Sequence, residues 1–327
     1  MEISISNFSI QSISEIESKL FDNKYIDSIT LDFNNIKWAT PTPILAIGSV
    51  IKNFLYYRNA NELQTIIKNL DHSNQTINYL KHIGFFDFVG LPHGNQIGGS
   101  SSKYRYIPIQ KIEIKKLKQE DNNLQKSIQS KSSELANILL GSQALQDRQS
   151  LLLTSYSIRE TLRNAFEHAG VDECFICAQR WNNGISEISI LDEGAGIFQT
   201  LSQAYAIEED ESILFAIKPG TTRSSIFNES ENLHGNSGFG LYALSEIGRS
   251  FGSFYVGSGS KLLTLKDRTS KLSNLSFSGT FVGVRVQKIP HDFNGTLQDI
   301  ISEGEKDALK DGRASKASSA SKFANYF

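Results

Sequence analysis

Residues 185–191 form an apolar, β-like run that breaks into Asp192-Glu193-Gly194-Ala195-Gly196, and Gly235-Asn236-Ser237-Gly238-Phe239-Gly240 later leads straight into the helical pattern 241–247. Glycines cost backbone entropy, so a cluster at a strand end and another at a helix start mark places where the backbone turns sharply or meets something closely. At the first turn an ionised Asp192 only accepts hydrogen bonds, which suits the exocyclic amine of adenine and opposes the oxygen of guanine. At the second, uncovered N–H groups and the helix dipole favour an anion such as phosphate. The spacing Gly-x-x-Gly-x-Gly is not the dinucleotide order Gly-x-Gly-x-x-Gly, and no Gly-x-x-x-x-Gly-Lys-Ser/Thr occurs, which weakens Rossmann and P-loop readings. Taken singly, each turn is as well explained by ordinary turn chemistry.

Upstream, residues 157–169 read as an amphipathic helix. At about 100° per residue, Asn164 falls about 40° from Glu160 and Glu167 about 20° from it, opposite a stripe of Ile158, Leu162, Ala165 and Phe166. Alone, such a stripe is a water-facing helix surface. With a ligand beside it, a carboxylate can activate a nucleophile and an amide oxygen can meet Mg²⁺. Between the glycine turns, Lys218-Pro219-Gly220-Thr221-Thr222-Arg223-Ser224-Ser225 is cationic and hydroxyl-rich, as a lid over phosphates or a plain surface loop would be. A last β-like stretch, 277–284, carries a Gly279-Thr280 step.

In order, Glu160-x-x-x-Asn164, Asp192-x-Gly194-x-Gly196, Gly235-x-x-Gly238-x-Gly240 and Gly279-Thr280 resemble the GHKL ATP-binding superfamily of gyrase, Hsp90, histidine-kinase and MutL type proteins. The resemblance covers about 151–289 and implies a Bergerat α/β sandwich binding ATP and Mg²⁺. It implies Glu160 as the catalytic base, Asn164 as the Mg²⁺ ligand and Asp192 as the reader of the adenine amine. Gly194 and Gly196 would line the base pocket; Gly235, Gly238, Phe239 and Gly240 form the phosphate turn. Lys218, Thr222 and Arg223 belong to the lid segment, His168 lies near the phosphates, and Thr280 closes the set. The run Asn164-Ala165-Phe166-Glu167-His168-Ala169 looks most like the anti-sigma serine-kinase branch.

Residues 1–115 alternate β-like and helical patterns, with a strand at 29–33 and a Thr40-Pro41-Thr42-Pro43 helix start capped at Thr42. This half resembles STAS-type domains, without their Asp-Ser-x-Gly phosphoacceptor step; Thr40 and Thr42 are the nearest hydroxyls. The expected fold class is therefore α/β with two domains: a STAS-like domain at 1–115, a helical connector at 116–150, a GHKL domain at 151–289 and a flexible polar tail at 290–327. Residues 104–114 are expected to return to the first sheet.

Lys plus Arg number 33 against 35 Asp plus Glu, so no overall basic footprint points to nucleic acid or a membrane surface. The apolar stretch 43–51 is far too short to span a bilayer and the N-terminus lacks a leader pattern, so a cytoplasmic location is expected. Cys174 and Cys177, offset by three in a β-like run, point to opposite faces and read as core. Histidines at 72, 82, 93, 168, 234 and 291 leave none in 112–157, against a phosphoacceptor helix there. The functions in play are an ATPase switch with Glu160 activating water, a serine/threonine kinase acting on a regulatory protein partner, and an ATP-dependent binding module without turnover. A homodimer through the connector fits any of them.

Overall fold

The computed structural model of the protein describes residues 1–71, 73–94, 105–121, 123–168, 170–222, 237–313 and 316–324, without the side chains of Glu167, His168 and Ala320. The chain begins β1 (Glu2–Ser4), α1 (Ile10–Asn23), β2 (Ser28–Asp32), α2 (Pro41–Ala60), β3 (Gln64–Lys68), α3 (Gln75–His82) and α4 (Phe85–Phe88). It continues β4 (Arg105–Glu113), α5 (Ile114–Glu120), α6 (Leu124–Leu140), a 3₁₀ turn at Gly141–Leu145 and α7 (Arg148–His168). Then follow β5 (Glu173–Arg180), β6 (Ser186–Asp192), α8 (Gly196–Leu201), α9 (Glu209–Ala216) and α10 (Gly240–Phe251). The hairpin strands β7 (Gly252–Lys266) and β8 (Thr269–Val286) precede α11 (Phe293–Lys310) and α12 (Ser319–Lys322). The fold is mixed α/β. No helix among the described residues is long and apolar enough to cross a membrane.

Two sheets organise the molecule. A parallel sheet runs β1-β2-β3, and an antiparallel one runs β4-β5-β6-β8-β7. Residues 105–113, expected in the first sheet, instead pair with β5 in the second, Lys111 opposite Phe175 and Glu113 opposite Glu173. Alternation marks a strand but does not name its partner. One face of the five-stranded sheet, through Ile176, Ile188 and Ile190, meets Ile128, Leu135, Ile158 and Leu162 of α6 and α7. The helical segment 116–150 is thus layered onto the sheet. Cys174 belongs to this core and Cys177 to the one on the opposite face, both as free, buried thiols.

The opposite face is covered by α2. This helix is apolar nearly all round, as a helix sandwiched between two layers must be: Ile44, Leu45, Ile47 and Ile51 are buried in a core that also takes Cys177, Leu191 and Phe281 from the second sheet. Helix α2 starts at Pro41 with Thr40 at its N-cap, earlier than the Thr42 cap expected from sequence. The reason lies across the sheet boundary: Glu187 of β6 accepts the Thr42 N–H at 2.9 Å, capping the helix from another layer, and is itself paired with Arg285 at 3.1 Å.

The expected flexible tail is largely ordered packing. Phe293, Leu297, Ile301 and Ala308 of α11 are buried with Leu153, Phe239 and Phe254, and Ala317 and Ala324 join the same core. The Tyr156 hydroxyl donates to the carbonyl of Ser321 at 3.2 Å, so the segment 316–324 lies against α7.

Candidate functional site

On α7, the stripe that an isolated helix would turn to water is covered. Glu160 is 2% exposed, and Ser157, Arg159, Thr161 and Arg163 are buried with it. The Glu160 carboxylate is met by the guanidinium of Arg159 at 3.0 Å and of Arg163 at 3.3 Å. Arg159 is in turn held by Gln129 of α6 at 2.8 Å and by the carbonyls of Phe323 and Ala324 at 2.9 and 3.0 Å. One turn on, Asn164 has a buried Nδ2 with no hydrogen-bond partner among the described residues.

Strand β6 delivers Asp192 to the same place. Asp192 is 5% exposed, and its carboxyl, stripped of water, is pushed up to about 7; the N–H groups of Gly194, at 3.1 Å, and Thr280 draw it part of the way back. The Gly279-Thr280 step packs on the Asp192 backbone: at Gly279, with φ of +92°, any Cβ would collide with the Asp192 carbonyl. Behind Asp192, Gly196 opens α8, and Thr200 donates to its carbonyl at 2.8 Å.

The second glycine turn closes the opposite wall. Gly238, with φ of +72°, lies flat on the backbone of Thr221, leaving no room for a side chain, and its carbonyl accepts from Gly220 at 3.1 Å. A Cβ at Gly240 would sit 2.6 Å from Glu160 Oε2. Helix α10 therefore starts against the carboxylate, with no side-chain cap over its first N–H groups. The base of the lid segment is tied down by Tyr205, whose hydroxyl donates to the Thr222 carbonyl at 3.0 Å, and by Arg313, which donates to the Pro219 carbonyl at 3.0 Å.

These walls enclose about 870 Å³, counting the part open to solvent. Of the residues singled out in the sequence, Glu160, Asn164, Asp192, Gly196, Thr222, Gly238, Gly240 and Thr280 line this pocket. Gly194 shapes Asp192 from behind. Lys218 is turned away, its Nζ 5.4 Å from the Phe215 ring centroid, and Phe239 is a core residue stacked edge-on against Tyr242. Arg223, Gly235 and the His168 side chain lie outside the described residues. Sequence reasoning missed Ile190 and Val282, which form apolar floor two residues from Asp192 and Thr280 on the same strand faces, and Thr161 and Arg163 on α7. Period-two spacing from the named residues would have found the first pair.

Chemically, the pocket offers an apolar slot ending in a buried hydrogen-bond acceptor, a helix start with uncovered N–H groups, and a carboxylate and amide side by side. Comparison with protein-family models, curated proteins and solved structures finds no match.

Proposed function

We propose that this pocket binds ATP with Mg²⁺, and that the protein is a GHKL-type nucleotide-dependent regulatory switch whose STAS-like first half reports the state of a Bergerat-type second half. The observation that carries the reading is the convergence of Glu160, Asn164, Asp192, Gly196, Gly238, Gly240 and Thr280 on one pocket, from segments scattered over the second half of the chain. Asp192 accepts the adenine amine at the end of the floor formed by Ile190, Ile197 and Val282, and the first N–H groups of α10 meet phosphate oxygens. Asn164 lines the pocket, and its amide oxygen is a hard ligand suited to Mg²⁺. When bound, the cation supplies neutralisation of phosphate charge.

Glu160 takes a proton from the attacking water as its oxygen bonds to the γ-phosphorus and the bond to the bridging oxygen breaks. Arg159 and Arg163 favour a second reading. The Glu160 carboxylate is already engaged by two guanidinium groups and not free to reach a water, and ATP then holds a conformation without turning over. Single-turnover assays with γ-labelled ATP separate the two. Release of labelled phosphate, lost in Glu160→Gln while ATP still binds, supports hydrolysis; intact bound ATP supports the switch without turnover. Label on a serine or threonine of an added partner would make the protein a kinase. Thr42 is no such acceptor as folded: it is fully buried against Gly283, on the sheet face opposite Val282 and the pocket.

The Asp192 carboxyl gives the reading a pH signature. Below about 7 the folded protein keeps it neutral, and the ionised form is the stronger acceptor. ATP affinity is expected to rise by about fivefold between pH ~6 and pH ~8, and to be flat in Asp192→Asn. Stability runs the other way. The folded-state value lies above the ordinary 3.8, so the contribution of this group is complete below about 4 and lost as pH rises through about 7. Isothermal titration across this range checks the first statement; an affinity independent of pH in the wild type would count against Asp192 as the base reader.

A further inference from the structure

A second cleft lies away from the ATP pocket, where the Lys37–Ala39 segment and α3 face the ends of β4 and β5. Its chemistry is distinctive. Among the described residues three cations line it, Lys37, Arg105 and Arg180, and no carboxylate does. Arg105 and Arg180 are direct cross-strand partners in the antiparallel β4–β5 ladder, an arrangement that like charges disfavour. Asp147 offsets part of that repulsion from beneath. The Arg180 guanidinium is fixed by the Gly184 carbonyl at 3.0 Å and Gln143 at 2.7 Å.

The cleft is also aromatic. Both tryptophans of the chain, Trp38 and Trp181, line it. Trp38 is 47% exposed, a large ring left open beside cations. Its position is nonetheless fixed: the Asn7 side chain accepts from the N–H groups of Lys37 and Trp38, and Phe8 donates to the Trp38 carbonyl at 3.1 Å. Trp181 carries Arg285 at 5.0 Å from its ring centroid. Finally, Gln179 is 8% exposed, yet its Oε1 has no partner among the described residues, and neither has the hydroxyl of Tyr79, which also lines the cleft.

We propose that this cleft binds a nucleoside phosphate, free or as a unit of a single strand, with the base against Trp38, the phosphate at Lys37 and Arg105, and Gln179 and Tyr79 hydrogen-bonding the base edge. The combination decides the class. Aromatic faces beside cations take a flat base joined to an anion, and orphaned buried donors and acceptors mark where polar edges of the ligand belong. An acidic peptide would satisfy the cations but leave the ring and the amide unused. The overall charge near neutrality does not oppose a local site of this kind.

Because both tryptophans of the chain are in the cleft, fluorescence excited beyond the tyrosine absorption band reads it. The full chain is titrated with each of the four nucleoside 5′-monophosphates up to about 1 mM, and with a uridine pentanucleotide, in the absence of Mg²⁺. Saturable quenching by a monophosphate, weakened about tenfold in Lys37→Glu, assigns a free nucleotide. Quenching by the pentanucleotide alone, weakened by salt and by Lys37→Glu, assigns a strand. Lys37 is exposed, and its hydrogen bonds to the fold are backbone ones, its N–H to Asn7 and its carbonyl from Thr76, so the variant should fold normally. No quenching by any ligand overturns the proposal, as does quenching unaltered in both Lys37→Glu and Gln179→Leu. UMP has no exocyclic amine for Asp192, so its binding or failure is independent of the ATP reading.

Discussion

Asp192→Ala should weaken ATP binding by about 100-fold and leave the melting temperature at pH ~8 unchanged or higher. The loss is the worth of one buried hydrogen bond to a charged acceptor, about 1.5–3 kcal/mol, with the adenine amine left unpaired in an apolar slot. Stability should hold because the folded protein buries this carboxyl at a cost, visible in its displacement to about 7. Above that value the wild type carries a dehydrated charge that alanine removes. The N–H groups of Gly194 and Thr280 lose an acceptor, which offsets part of the gain. Calorimetric titration and a thermal melt decide it: unchanged affinity would remove Asp192 from the site, and a collapsed melt would make its role structural.

Gly283→Ala should cost about 2 kcal/mol, measured by urea denaturation, although the residue is only one methyl larger. A Cβ at 283 would fall inside the Thr42 side chain at the start of α2. That side chain is fully buried and sits on a helix end fixed by Glu187, so it has nowhere to go. Thr42→Ala should be nearly neutral, since its hydroxyl is buried without a partner. The double variant should recover most of the loss, a coupling that only direct contact explains. Additive effects would mean that α2 does not rest on β8.

The second half of the chain was the more legible. Glycine turns after 185–191 and before 241–247 are obligatory punctuation, and the structure has β6, α8 and α10 there. The helix at 157–169 was legible as a helix but not as a buried one. Its polar stripe is hidden by Gln129, the pocket and the segment 316–324, contacts that no local pattern records. The helix α11 was misjudged because its Asp, Lys and Ser content masks a stripe of Phe293, Leu297, Ile301 and Ala308, spaced by four, four and seven. That spacing is visible in the sequence, and composition outweighed it. The partner of β4 was beyond reach, since strand pairing at long range depends on what the rest of the sheet leaves open.

Helix α2 shares one core with strands of both sheets, which bears on how the molecule can be dissected. A cut near residue 115 would look natural from sequence. It would strip Ile44, Leu45 and Ile51 of one wall and leave Cys177, Leu191 and Phe281 as a bare apolar surface on the other fragment. Neither fragment carries its own complete interior, and the intact chain is expected to unfold in a single cooperative transition by thermal melt. Moreover, Glu193, in the middle of the Asp192-Glu193-Gly194 turn, is held by Lys52 at 2.7 Å and Ser49 at 2.9 Å of that helix. The Asp192-Glu193-Gly194 turn is thus mechanically continuous with the N-terminal half, so a complementation experiment should divide the chain elsewhere, in an exposed turn such as Asp267-Arg268.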